Sequence, residues 1–308
     1  MKGYLFIFIF MLFTQVGYAD NIDTKKVAIG TNVKSRLGNA LTSYINCKYL
    51  SYKHNVPFLY RPFPYSDQFV FHDKELQREI WEPMFQKNRP FEGVNDFDSY
   101  STFLVVPFFR EGPLSHRWKL QLYPDWKDET FIKIIRESLQ PRFEFETLEL
   151  PKDTINVVLH VRRGGDFDKQ QTIERLPVKF PSDEFFLDNL KQMSEFFNNH
   201  PIYAHIMTDD LHPEKLLTKY ENELIQYGNI TFGYKKLGVM EDFFSIPKFD
   251  CIIRGDSTFS IVAAILGNFI VSVSVVDAIH ENGKNVVLKS NWEINYDHPY
   301  FLPTPCHP

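Results

Sequence analysis

The stretch "INVVLHVRRGG", residues 155–165, decides the fold of this chain. Its first seven residues are mostly apolar and β-branched, a run of strand length. Two arginines and two glycines follow, so a buried strand runs straight into a turn. The same pattern then repeats. "SDEFFLDNLKQMSEFFNN" (182–199) carries apolar residues at helical spacing with Ser182 placed as a cap, and "PIYAHIMTDD" (201–210) is a second strand with a polar end. "HPEKLLTKYENELIQY" (212–227) predicts a helix, "ITFGY" (230–234) a strand, "MEDFFSIPKF" (240–249) a short helix and "DCIIR" (250–254) a strand. "STFSIVAAILG" (257–267) predicts a helix and "NFIVSVSV" (268–275) a strand. Strands alternating with helices predict a parallel sheet wound on both faces.

Working toward the N-terminus, "KKVAIGT" (25–31) reads as a strand. In "NVKSRLGNALTSYINCKYLSYKHNVPFLY" (32–60), Leu37, Leu41, Tyr44, Ile45 and Leu50 fall near helical spacing, and "VPFLY" is again strand-like. Residues 61–115 are rich in Phe, Pro and Tyr without a sustained period. They predict irregular structure packed by aromatics, with the wall of an acceptor cleft as the functional alternative. A helix over "DETFIKIIRESL" (128–139) stops before Pro141. The expected organisation is therefore two α/β domains, residues 20–150 and 151–308, preceded by a separate N-terminal segment.

That segment, residues 1–19, has Lys2, an apolar stretch from Tyr4 to Phe13 and the small-x-small order Gly17-Tyr18-Ala19. It predicts a secretory signal peptide cut after about Ala19, and an exported or lumenal protein. The stretch is short of the roughly 20 apolar residues of a stable span, and an uncleaved anchor at the membrane is the alternative. Formal net charge is -5, which argues against a general nucleic-acid binder, so any anionic ligand must be held by a local cluster. Three cysteines, Cys47, Cys251 and Cys306, make neither a disulfide framework nor a zinc site. Cys251 reads as a core residue. A Cys47–Cys306 bridge is conceivable and has no support in the spacing.

In a parallel α/β sheet ligands bind beyond the carboxyl ends of the strands, which directs attention to residues 160–168, 208–210 and 254–260. His160 and Arg162 share one side of their strand, and Val161 points to the other. A guanidinium at a strand end offers a planar fork of donors for phosphate oxygens, while Gly164 and Gly165 let the backbone turn and approach a ligand. Pairing of Arg162 and Arg163 with Asp166 and Asp168 is the plainer alternative. Asp209 and Asp210 suit a simple helix cap. Ser257, Thr258 and Ser260 cluster where a helix starts, a place suited to phosphate, or else Asp256 or Ser257 merely caps that helix. Two anion-suited sites at neighbouring strand ends favour a diphosphate. Asp166-Phe167-Asp168 also has the spacing with which metal-dependent nucleotide-sugar transferases hold a divalent ion, although adjacent arginines can neutralise a leaving diphosphate without one.

These residues resemble a family. His160-Val161-Arg162-Arg163-Gly164-Gly165-Asp166 is similar to the His-x-Arg-Arg-x-Asp motif of the α1,2-, α1,6- and protein O-fucosyltransferase superfamily. "YAHIMTDD" resembles its second motif and "FFSIPKFDCIIRGDSTFSIVAAILG" its third. Arg36-Leu37-Gly38-Asn39 resembles the Gly-Leu-Gly-Asn opening of the α1,2 branch. The resemblance implies a GT-B-like α/β fold, two Rossmann-like domains facing across a cleft, and GDP-fucose held by the C-terminal one. It implies an inverting, metal-independent transfer of fucose to a glycan hydroxyl, with no cofactor. Arg162 would grip the β-phosphate, with Arg163 nearby, and stabilise the leaving group. His160 and Asp250 would approach the guanine, and Ser257, Thr258 and Ser260 the diphosphate. The family has one residue between the second arginine and the aspartate, and here there are two. Asp166, Asp168 and Glu174 are therefore all candidates for the base. Asp256 stands where the α1,2 branch has Asn, which places a negative charge near the diphosphate unless it turns away. A transferase using another sugar nucleotide, and an inactive relative that binds a glycan or nucleotide, are the alternatives.

Overall fold

Val157, Leu159 and Val161 are fully buried beside Phe186, Leu190 and Met193, and this contact organises the second half of the molecule. A computed structural model describes residues 27–31, 35–99, 101–107, 109–111, 118–120, 123–281 and 285–301. The expected signal peptide, residues 1–19, and Cys306 lie outside the described residues. The chain divides into two compact units, Met1–Arg142 and Phe143–Pro308.

In the first unit, β1 (Val27–Gly30) leads to α1 (Leu37–His54) and β2 (Leu59–Tyr60). β3 (Leu76–Gln77), α2 (Arg78–Trp81), β4 (Lys87–Pro90) and β5 (Thr102–Val105) follow, then β6 (Phe109–Glu111), β7 (Trp118–Leu120) and α3 (Glu129–Ser138). A three-stranded parallel sheet has the order β1-β5-β4, and β2 pairs with β3. Four of these strands, β3 to β6, lie where the sequence predicts irregular structure. They are only two to four residues long, too short to display a period, and Lys87–Pro90 is largely exposed. The aromatics do pack as expected: Tyr44 stacks on Phe71 at 4.2 Å and Phe71 on Phe69 at 5.3 Å. The Asp128 carboxylate caps α3 by accepting from the Phe131 N–H at 3.0 Å.

The second unit contains β8 (Ile155–Val161), α4 (Gln170–Arg175), α5 (Asp183–Phe196), β9 (Ile202–Thr208), α6 (Pro213–Glu223) and β10 (Ile230–Gly233). α7 (Val239–Ser245), β11 (Cys251–Arg254), α8 (Thr258–Leu266), β12 (Val271–Glu281) and β13 (Asn285–Ile294) complete it. The sheet order is β10-β9-β8-β11-β12-β13, parallel throughout except for β13, which runs back along β12. Each predicted strand from 155 to 275 is present, and so is each predicted helix. Ser182 takes the cap position of α5 without a side-chain hydrogen bond. Alternate residues of β8 bury Val157, Leu159 and Val161 against α5, each such side chain being worth about 1.5–3 kcal/mol. The opposite face carries Val158, His160 and Arg162. The segment before β8 belongs to this unit: Phe145 stacks on Phe244 at 5.1 Å, and the Leu148 N–H donates to Ser245 Oγ at 3.1 Å. Among the described residues no helix is long and apolar enough to cross a membrane. Cys47 and Cys251 are free and buried, and burial pushes both thiols up.

Candidate functional site

From β8 the chain moves to β9 and then β10 on one side, whereas β11 lies on the other side of β8 and leads to β12. The carboxyl ends of β8 and β11 therefore form a topological switch point, the place where sheets of this kind bind ligands. His160 is in register with Arg254 there. Arg162 lies two residues further on the same face.

The two adjacent arginines part company because successive side chains leave opposite faces. The Arg162 guanidinium pairs with Asp168, and its charged end lies 5.5 Å from the centre of the Phe180 ring. Lys179 Nζ is 3.8 Å from the same Asp168 carboxylate. Arg163 turns to the α5 side, donating to the Pro181 carbonyl at 2.7 Å and pairing with Asp183. Asp183 also accepts from Lys219 at 2.6 Å and from the Tyr220 hydroxyl at 3.0 Å. Burial would raise the Asp183 carboxyl, but Lys219 and Arg163 more than offset this and hold it below the usual carboxylate range. The expected arginine–carboxylate pairing is thus half right. Arg162 takes Asp168, but Arg163 takes a residue from the next helix, and its role is to anchor that helix.

Asp209 does not cap a helix. Its Oδ1 accepts the backbone N–H groups of Arg163 and of Gly164, the latter at 3.1 Å, and so clamps the turn that carries the arginines. Asp210 does the local work instead, accepting the His212 N–H at 2.7 Å. Gly164 and Gly165 have φ of 95° and 48°. A Cβ on Gly165 would lie 2.7 Å from the Asp209 carbonyl oxygen. Both glycines are therefore required by the turn.

Several buried polar atoms gather at this end without a hydrogen-bond partner: His160 Nδ1, Arg162 Nε, Arg254 Nε and Ser257 Oγ. Elsewhere in the second unit only His205 Nε2 shares that condition among the described residues. Burial, with help from Arg162 and Arg254, lowers the His160 imidazole to about 3, so it is neutral at physiological pH. Phe259 of α8 stacks on it at 5.7 Å. Ser257 is 1% exposed and Thr258 half-buried at the start of α8. Ser260 is buried and donates back to the Ser257 carbonyl at 3.2 Å, so its hydroxyl is engaged within the helix. Asp256 is exposed, and it is Ser257 that holds the cap position. Asp166 is exposed on the turn, and Glu174 is exposed where it accepts from Gln170 at 2.9 Å.

Asp250 requires a correction. It precedes β11 and accepts the Asn156 N–H at 2.8 Å and the Asn156 side-chain amide at 3.2 Å, near the start of β8. Asn156 and Arg162 are six residues apart along an extended chain, roughly 20 Å. Asp250 therefore braces the amino end of the sheet and does not join His160 and Arg162.

Two residues not read as candidates belong here. Arg254 is one, and an arginine closing the apolar strand "CIIR" immediately before Gly255 was the available signal. The other is Asp242 in the first turn of α7. Its neighbour Phe243 lies 5.6 Å from Phe259, the ring that stacks on His160. Burial, with Glu241 adding, raises the Asp242 carboxyl to about 7. No group of three or more His, Cys, Asp or Glu is placed to hold a metal ion among the described residues.

Comparison with known proteins gives no matching family model and no matching curated protein. Among solved structures, the chain is similar to POFUT1 in complex with GDP-fucose, at 11% identity and a TM-score of 0.46, over 80% of this chain and 96% of that one. A mutant of Arabidopsis thaliana FUT1 in complex with GDP gives 12% and 0.45, over 84% and 72%. The fucosyltransferase NodZ from Bradyrhizobium gives 12% and 0.40, over 87% and 99%.

Proposed function

We propose that this protein is a glycosyltransferase that binds a nucleoside diphosphate sugar at the switch point of its second unit, with GDP-fucose as donor and a glycan hydroxyl as acceptor. The observation that carries this reading is the group of unpartnered polar atoms from His160, Arg162, Arg254 and Ser257 at the carboxyl ends of β8 and β11. Buried donors without partners are costly, and a phosphate ligand supplies the acceptors they lack. The motif resemblance selects fucose and GDP from the wider class.

In the reaction, the acceptor oxygen attacks the anomeric carbon from the face opposite the diphosphate. The carbon–oxygen bond to the β-phosphate breaks with its electron pair leaving on GDP, so the configuration inverts. Arg162 meets the charge that develops there. Asp166, exposed and without an ion pair among the described residues, takes the proton of the acceptor hydroxyl. Asp168 holds Arg162 until the diphosphate replaces it. No metal takes part in this scheme. Residues 1–19 act as a signal peptide that sends the enzyme to an exported or lumenal compartment, or stay uncleaved as a membrane anchor.

Calorimetric titration with GDP in the presence of EDTA tests the reading. The purified protein is expected to bind, and Arg162→Ala to bind about 10- to 100-fold more weakly, the worth of a charge-assisted hydrogen bond. Absence of binding by the native protein would overturn the donor assignment.

A further inference from the structure

We propose that Arg254 is a second phosphate-binding arginine, forming with Arg162 a two-guanidinium clamp across the switch point that takes both phosphates of a nucleoside diphosphate. The proposal rests on the donor-site reading above and deepens it.

Arg254 closes β11 in register with His160, so it stands on the same face as His160 and Arg162. Strand spacing and rise place its Cα roughly 8 Å from that of Arg162, a span two arginine side chains easily close. Among the described residues Arg254 makes no ion pair, and its Nη1 donates a long 3.4 Å bond to the Gly255 carbonyl. Its Nε is sealed from water without a partner. Burial lowers its pKa, and the charges of Asp256 and Glu293 act against that without undoing it. Asp168 neutralises Arg162, but among the described residues no carboxylate pairs with Arg254.

Two cations on one face, one of them uncompensated, disfavour the unliganded protein and favour an anion that can engage both. A diphosphate does so with two adjacent charged groups and leaves Ser257 Oγ, at the start of α8, a further oxygen to bind. The same arrangement supplies positive charge to the leaving group from two directions. It also predicts a preference for diphosphate over monophosphate.

The test compares the purified protein with Arg254→Met, which keeps the length of the side chain without its charge, and with Arg254→Lys. GDP, GMP and inorganic pyrophosphate are titrated in EDTA, and the melting temperature is recorded without ligand. Arg254→Met is expected to bind both GDP and pyrophosphate at least 10-fold more weakly and to narrow the preference for GDP over GMP. It should melt higher than the native protein, because an unpaired buried charge is gone. Arg254→Lys should recover part of the affinity. Unchanged affinity, or weaker binding accompanied by a lower melting temperature, overturns the role of Arg254. If the native protein binds GDP and the variants bind it equally well, the donor site stands and the clamp falls. If it binds pyrophosphate with the expected losses but not GDP, the clamp stands and the nucleotide falls. If it binds neither, both fall.

Discussion

Arg162 and Arg163 are neighbours in sequence with opposite duties, one paired with Asp168 at the switch point and one anchoring α5 through Asp183. The sequence shows two arginines at a strand end and the alternation that separates them. It does not show which carboxylate each will find, since Asp183 lies 20 positions from Arg163 and is brought there by the fold. Asp168 occupies the guanidinium that the diphosphate needs, so Asp168→Asn is expected to tighten GDP binding several-fold while turnover survives. Asp166→Asn, by contrast, should leave GDP affinity unchanged and lower kcat by about 100-fold or more. Calorimetry and a donor-turnover assay on the two variants separate these roles, and the reverse pattern would make Asp168 the base. Arg254 and Asp242 escaped a reading by residue type because their character comes from burial. The folded Asp242 carboxyl is raised from 3.8 to about 7, so the native state holds its proton more tightly than the unfolded chain does. That residue costs nothing at pH below about 3.8, and its cost grows as pH rises and is complete above about 7. Asp242→Asn should therefore be more stable than the native protein in urea unfolding at pH 8, by on the order of 2–4 kcal/mol, with the gain shrinking toward pH 4.

At the scale of elements, the arginine-bearing turn is held from a different strand. Asp209, at the end of β9, accepts two backbone N–H groups from residues 163 and 164, and Gly165 lets its carbonyl come close. Asp209→Ala would leave both donors unsatisfied. It is expected to cost about 1–3 kcal/mol in urea unfolding and to weaken GDP binding through the loosened turn. An unchanged GDP affinity in that variant would show that the turn holds its shape unaided. Such an effect is invisible to sequence reading, which sees an aspartate before a helix and assigns a cap. Apart from α4, strands and helices from 155 to 275 were legible because each buries a continuous apolar run or stripe. The six-residue α4 and the returning strand β13 went unread. α4 is too short to display a period, and β13, "NVVLKSNWEI", breaks its apolar run with Lys289, Ser290 and Asn291. Trp292 of β13 still reaches the core side, donating to Asn189 of α5 at 2.9 Å.

For the whole molecule, the decisive fact is that every residue of the proposed donor site comes from Phe143–Pro308. That unit has its own six-stranded sheet and its own core, running from Ile155 to Val275 with helices α5 and α6 packed on it. The segment preceding β8 is tied to it as well, through Phe145 on Phe244 and Leu148 on Ser245. A cut at 142/143 therefore keeps these contacts within the unit, whereas a cut at 150/151, where the sequence alone would place it, removes them from the unit they stabilise. Residues 143–308 produced alone are expected to unfold cooperatively and to bind GDP with an affinity within about 3-fold of the intact protein. Residues 151–308 should be less stable by about 1–3 kcal/mol, having lost the buried Leu148 and the cover over Phe244. Equal stability of the two fragments would mean that the segment 143–150 is only a linker. Failure of 143–308 to bind GDP, when the intact chain does, would mean that the donor site draws on the first unit.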